Sequence, residues 1–207
     1  MNRLLEDDYL EQQKDIVDDI LTVENNYHSK PKDALIKWSG IVEGFKSLHI
    51  KPQVTLDVGC GLSSLPIYFK RYSDTVIGVD TSCNHEFKHK LEKNGITFIH
   101  SALEHAVLPD ESVDLVVDSC AIGCSMNLNI ATQVIYNKLK HGGYFITVGD
   151  VCLTTKDGVF PSPDTWIRRA QELGFELVGE MDENTESKFL TMENPKLYVA
   201  RMIFRKK

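Results

Sequence analysis

From Gln53 onward the chain alternates short apolar runs with helical stretches, and this alternation constrains the fold more than any other feature of its 207 residues. Val54–Val58, Val76–Val79, Ile96–Ile99, Val113–Val117 and Tyr144–Val148 have strand length and are rich in β-branched and aromatic side chains. Apolar runs of this kind, with little polar alternation, mark strands covered on both faces, as in a parallel sheet between helix layers. Ser64–Tyr72, Asn84–Lys93 and Leu128–Lys140 read as the intervening helices, with Lys140–Gly143 as a helix C-terminus and tight turn. The alternation predicts an α/β fold, a doubly wound sheet with right-handed crossovers.

The two ends depart from that rhythm. Helix Asp164–Leu173 stops at Gly174 and is followed by two strand candidates, Phe175–Glu180 and Lys196–Phe204, which are expected to pair antiparallel at a sheet edge. Asp182–Pro195 between them reads as a polar surface loop. At the start, Leu5–Glu24 carries apolar residues at helical spacing, and a second stripe follows Pro31 through Leu35, Trp38, Ile41, Val42, Phe45 and Leu48. The division expected is a helical cap over residues 1–50 and a main domain over residues 51–207.

Thirty acidic against 23 basic residues give a formal charge of −7, which disfavours a general nucleic-acid surface. No apolar run approaches the roughly 20 residues needed to span a bilayer, and the charged start Met1–Asp8 lacks a secretory core, so a cytoplasmic protein without membrane contact is expected. Cys60, Cys83, Cys120, Cys124 and Cys152 form no paired CxxC framework, which suits a reducing compartment and argues against a metal site.

The chemistry concentrates at Val54-Thr55-Leu56-Asp57-Val58-Gly59-Cys60-Gly61-Leu62-Ser63-Ser64, a buried strand running into a glycine turn and then a helix. Glycines there let a ligand approach the backbone, at the edge where doubly wound sheets bind ligands. Asp80 closes the next strand, 21 positions after Gly59, a spacing that suits a carboxylate accepting hydrogen bonds from ribose hydroxyls. A dinucleotide site would instead want G-x-G-x-x-G with free backbone N–H groups for pyrophosphate, whereas this turn has Ser64 at the third glycine's place. Asp57, just before the turn, would repel pyrophosphate and favour a cationic ligand.

Leu56-Asp57-Val58-Gly59-Cys60-Gly61 resembles motif I of the class I S-adenosylmethionine-dependent methyltransferases. In order, Val79-Asp80, Pro109–Val117, Leu139–Tyr144 and Gly174-Phe175-Glu176 resemble that family's second-strand end, fourth-strand approach, fifth-strand turn and sixth-strand turn. The resemblance implies a Rossmann-like seven-stranded sheet whose last strand is antiparallel, following an N-terminal helical extension. It also implies that Asp57 holds the methionine ammonium, that the backbone of Gly59, Cys60 and Gly61 approaches the methionine and ribose, and that Asp80 binds the ribose hydroxyls. The acidic adenine partner that many members carry after the third strand is replaced here by His100-Ser101-Ala102-Leu103-Glu104-His105, so adenine recognition stays unassigned.

The activity this implies is methyl transfer from S-adenosyl-L-methionine to an O or N nucleophile of a small molecule, a saccharide unit being one option. His105 and Asp150 are the candidates for a base, being near strand ends; Asp118 could line the cofactor pocket, and His85 and His141 read as structural. Segment Tyr27–Phe45 is a candidate lid. A binding partner without transferase activity and an NAD-dependent oxidoreductase are the alternatives.

Overall fold

The computed structural model describes residues 31–61, 63–119, 121–122, 128–150, 163–180 and 199–207. The helix expected over Leu5–Glu24, the loop Asp182–Pro195 and Cys120, Cys124 and Cys152 lie outside them. In chain order the elements are α1 (Pro31–Leu48), β1 (Val54–Val58), α2 (Leu65–Phe69), β2 (Thr75–Asp80), α3 (His85–Lys93), β3 (Thr97–His100), a 3₁₀ turn (Leu103–His105), β4 (Val113–Ser119), α4 (Leu128–Lys138), β5 (Leu139–Asp150), α5 (Pro163–Leu173), β6 (Phe175–Glu180) and β7 (Val199–Lys206).

The seven strands form one sheet in the order β3-β2-β1-β4-β5-β7-β6. β1 to β5 are mutually parallel, and β7 runs antiparallel between β5 and β6. The sheet is the doubly wound, seven-stranded one expected, with the terminal pair at an edge. Its strand order reverses between β1 and β4, the place where a fold of this type opens a crevice beyond the carboxyl ends of its strands.

Both sheet faces are covered, as the apolar strands require. On one face Ile41, Val42 and Phe45 of α1 pack with Phe69, Phe87, Leu115, Val117 and Ile146. Phe45 meets Phe69 edge-on, with ring centroids 5.2 Å apart. On the other face α4 and α5 bury Leu128, Ile135 and Trp166 against Val116, Phe145, Phe175 and Phe204. Each such fully buried side chain contributes about 1.5–3 kcal/mol. Trp166 is 1% exposed, and its indole N–H donates to the Thr132 hydroxyl at 2.9 Å, so its one polar atom is satisfied.

Two local features shape the crevice edge and its opposite. Helix α3 starts at Asn84, whose side chain accepts from the Phe87 N–H at 3.0 Å, and this cap sets where the chain after β2 turns back. At the far end, the turn expected at Lys140–Gly143 differs from a helix terminus. α4 stops at Lys138, and the chain enters the sheet at once: Leu139 pairs with Val113, and Tyr144 pairs with Leu115. Residues 140–143 therefore bulge out of a strand already begun, with Gly142 at φ 78°.

Candidate functional site

The carboxyl edge of the sheet gathers three carboxylates. Asp57 belongs to β1, Asp80 ends β2, and Asp118 lies near the end of β4, on the other side of the strand-order reversal from Asp57. Among the described residues no Lys, Arg or His forms an ion pair with any of them.

Asp57 is 2% exposed, and its Oδ2 has no hydrogen-bond partner. Burial, reinforced by the charges of Asp118 and Asp80, holds its carboxyl well above the usual carboxylate range. A buried acceptor of this kind is expensive unless something donates to it. Asp118 is equally buried but well supplied. Its Oδ1 accepts the N–H groups of Ala121 (2.8 Å) and Ile122 (2.9 Å), and its Oδ2 accepts the Thr147 hydroxyl (2.7 Å). Burial lifts its pKa to about 6, against those donors, which favour the ionised form.

Asp80 organises the glycine turn from the neighbouring strand. Its Oδ2 accepts the Gly61 N–H at 2.7 Å, and its Oδ1 accepts the Ser82 N–H and hydroxyl, each at 2.7 Å. The Val79 carbonyl accepts from Gly59 (2.7 Å) and Cys60 (3.2 Å), the Cys60 carbonyl accepts from Ser63 (2.9 Å), and the Ser63 hydroxyl accepts from Leu65 (3.0 Å). The N–H groups of Gly59, Cys60, Gly61, Ser63 and Leu65 are thus all engaged within the protein.

The two glycines of the turn serve different ends. Both have positive φ, 63° at Gly59 and 49° at Gly61. A Cβ on Gly59 would fall 2.0 Å from the Ala121 methyl, so that space is filled by the chain itself. A Cβ on Gly61 would meet nothing closer than 3.9 Å, and there the backbone stays open to a ligand. Cys60 contributes main chain only. Its thiol is buried beside Gly78, where any Cβ would come within 2.9 Å of Sγ, and burial together with Asp57 and Asp80 pushes the thiol pKa up.

The remaining candidates are not brought together. His105 is exposed on the 3₁₀ turn after β3, and Asp150 is the last residue of β5, so β2, β1 and β4 lie between their strands in the sheet. His85 is exposed at the start of α3. His141 lies in the β5 bulge at the opposite edge, where its Nε2 stands 3.2 Å from Glu111 and its Nδ1 contacts the Lys207 carbonyl. Two partners in the site carry no local sequence signal: Ala121, seated on Gly59 from 62 positions away, and Gly78, which makes room for Cys60.

Residues 56–147 match the family model of the methyltransferase domain. Over this segment the chain is similar to methyltransferase domains. The segment contains the crevice described above, from β1 through most of β5. Solved structures share its fold. An S-adenosylmethionine-dependent methyltransferase from Mesorhizobium loti superposes with a TM-score of 0.62 at 14% identity, over 83% of this chain and all of that one. A 1,6-didemethyltoxoflavin-N1-methyltransferase from Burkholderia thailandensis, solved with 1,6-didemethyltoxoflavin and S-adenosylhomocysteine, has a TM-score of 0.64 at 14% identity, over 98% of this chain and 87% of that one. The [4+2]-cyclase SpnF also has a TM-score of 0.64 at 14% identity, over 88% and 84%. No curated protein matches the chain in sequence.

The residues at this carboxyl edge fit S-adenosyl-L-methionine. The orphaned Oδ2 of Asp57 is an acceptor in want of a cationic donor, and the open side of Gly61, next to the Asp80 carboxylate, leaves room for a ribose. No helix among the described residues is long and apolar enough to cross a membrane.

Proposed function

We propose that the chain is a methyltransferase that carries the methyl group of S-adenosyl-L-methionine to an O or N nucleophile of a small molecule. The observation that carries this reading is the pairing of Asp57's unpartnered, buried carboxylate oxygen with a glycine turn whose described N–H groups are already spent. A pyrophosphate needs free N–H donors and would meet carboxylates here, which counts against an NAD-dependent oxidoreductase. A cationic ammonium and sulfonium meet the charge they need.

In this reading Asp57 receives the ammonium, the backbone of Gly59, Cys60 and Gly61 lies along the methionine and ribose, and Asp80 accepts from the ribose hydroxyls with the lone pairs that Gly61 and Ser82 leave free. The bound cofactor supplies an activated methyl group with its own leaving group. What the protein adds is alignment and exclusion of water, with a base only where the acceptor must shed a proton. In this reading the cofactor lies over β1 and β2 and the acceptor over β4 and β5, on either side of the reversal in strand order. Asp150 ends β5 on the acceptor side, whereas His105 follows β3 beyond the cofactor side, so of the two candidate bases Asp150 is the better placed. Of the proposed cap over residues 1–50 on the domain of residues 51–207, the described part is α1, whose Ile41, Val42 and Phe45 pack on the sheet.

Incubating the purified protein with S-adenosylmethionine and a fractionated metabolite extract tests the transfer. One metabolite should gain the mass of CH₂ while S-adenosylhomocysteine accumulates in equal amount. The alternative reading is a cofactor-holding protein without methyl transfer. That reading predicts binding with no accumulation of S-adenosylhomocysteine in any fraction.

A further inference from the structure

Resting on the cofactor reading above, we propose that Asp118 is a positioning residue that sets the cofactor-binding glycine turn, through Ala121, from across the crevice. The chain of contacts is short. Asp118 Oδ1 fastens the start of the loop after β4 by two backbone bonds, to the N–H groups of Ala121 at 2.8 Å and Ile122 at 2.9 Å. The Thr147 hydroxyl, donating at 2.7 Å from β5, holds the other carboxylate oxygen. β5 pairs Thr147 directly with Asp118, so the side chain is gripped from the neighbouring strand as well as by its own loop.

The loop so fastened places the Ala121 methyl where Gly59 has no Cβ, with an ideal Cβ there only 2.0 Å from the methyl carbon. Gly59 is thereby held from two sides, by Ala121 above β4 and by the Val79 carbonyl of β2, which accepts its N–H at 2.7 Å. The turn at Gly59–Gly61 is thus referenced to both halves of the crevice. Asp118 touches no cofactor in this scheme, and its effect passes through the Ala121 contact.

An acceptor-only side chain suits three donors, and asparagine can replace it. Its Oδ1 accepts the same two N–H groups while its amide donates to the Thr147 oxygen, which is free to accept. Alanine cannot replace it.

Amide hydrogen exchange on the ligand-free protein reads the latch, and titration with S-adenosylhomocysteine reads its consequence. In Asp118→Ala, exchange at Ala121, Ile122, Gly59 and Cys60 should rise at least tenfold, with Leu177 and Phe204 of the distant edge unchanged, and the dissociation constant should rise at least tenfold. Asp118→Asn should restore both to within about threefold of the starting protein. Ala121→Gly keeps the latch and removes the contact, so it should speed exchange at Gly59 and Cys60 but not at Ile122, and it carries the test if Asp118→Ala does not fold. Unchanged exchange at Gly59 and Cys60 in Asp118→Ala or in Ala121→Gly would overturn the proposal. A starting protein that shows the exchange pattern yet binds no S-adenosylhomocysteine would overturn the cofactor reading instead and leave the latch standing.

Discussion

The two edges of the sheet treat their acidic residues in opposite ways. At the edge where the parallel strands begin, carboxylates are matched with cations. Asp114 lies 2.8 Å from Lys140 while its other oxygen accepts the N–H groups of Gln53 and Val54, Asp110 lies 2.6 Å from Lys138, and Glu111 lies 3.2 Å from both Lys206 and His141. At the carboxyl edge, Asp57, Asp80 and Asp118 form no ion pair among the described residues, and two of the three are fully buried. Charges that close on each other hold a fold together. Carboxylates without a cation beside them leave a place that a cationic ligand would fill, as proposed for Asp57.

Within the carboxyl edge the same contrast recurs on a smaller scale. Asp118 has three donors and a pKa of about 6, whereas Asp57 has an oxygen with none, and its carboxyl stands well above the ordinary value. The donors make Asp118 part of the scaffold. Their absence makes Asp57 the group with most to gain from a ligand.

The largest effect that bears on this contrast is expected at Gly59→Ala. The new methyl would collide with Ala121 in a backbone conformation that L residues rarely adopt, for a loss of about 2–5 kcal/mol of stability, read from urea unfolding. Stability close to the starting protein would mean that the β1 and β4 arms are not in contact.

Next comes pH. Asp118 titrates near 6 when folded against 3.8 as its ordinary value, so the folded protein binds the proton more tightly, and its contribution to stability falls as pH rises from about 4 to about 6. Asp118→Asn removes that slope, so its stability relative to the starting protein should grow by up to about 3 kcal/mol across the window, measured by thermal unfolding at several pH values. Parallel curves would contradict a buried, ionisable Asp118.

Asp80→Ala should weaken S-adenosylhomocysteine binding by about 1–3 kcal/mol, through loss of charge-assisted bonds to the ribose and of the acceptor that fixes Gly61. An unchanged dissociation constant in the folded variant would remove Asp80 from the site. The smallest effect belongs to the opposite edge. Asp110→Asn weakens a pair whose carboxylate is exposed and whose lysine keeps the Leu108 carbonyl as a partner, and should cost about 1 kcal/mol, with no change in cofactor affinity. A change in affinity there would erase the distinction between the two edges.

Most of the sheet was legible because buried parallel strands have no choice but to be apolar. Val54–Val58 reads directly as β1, Asn84 announces α3, and the chain-terminal pair falls at the edge. The carboxylates of the candidate site stand out in the sequence for a similar reason: Asp57 and Asp80 interrupt or end apolar runs where a charge needs a purpose. Gly59 reads as ligand clearance by local pattern, yet Ala121 fills its missing Cβ, a fact written 62 residues away. Lys140–Gly143 reads as a helix stop because Gly-Gly ends helices. Only the pairing of Leu139 with Val113 shows the strand already under way. Long-range contacts of this kind leave no local trace.

Whether the carboxyl-edge carboxylates receive a cationic nucleoside cofactor is read by calorimetric titration of the full chain. S-adenosylhomocysteine should bind with a micromolar dissociation constant, and NAD should give no heat beyond dilution. Saturable NAD binding with no response to S-adenosylhomocysteine would mean that Asp57 and Asp80 serve a dinucleotide instead.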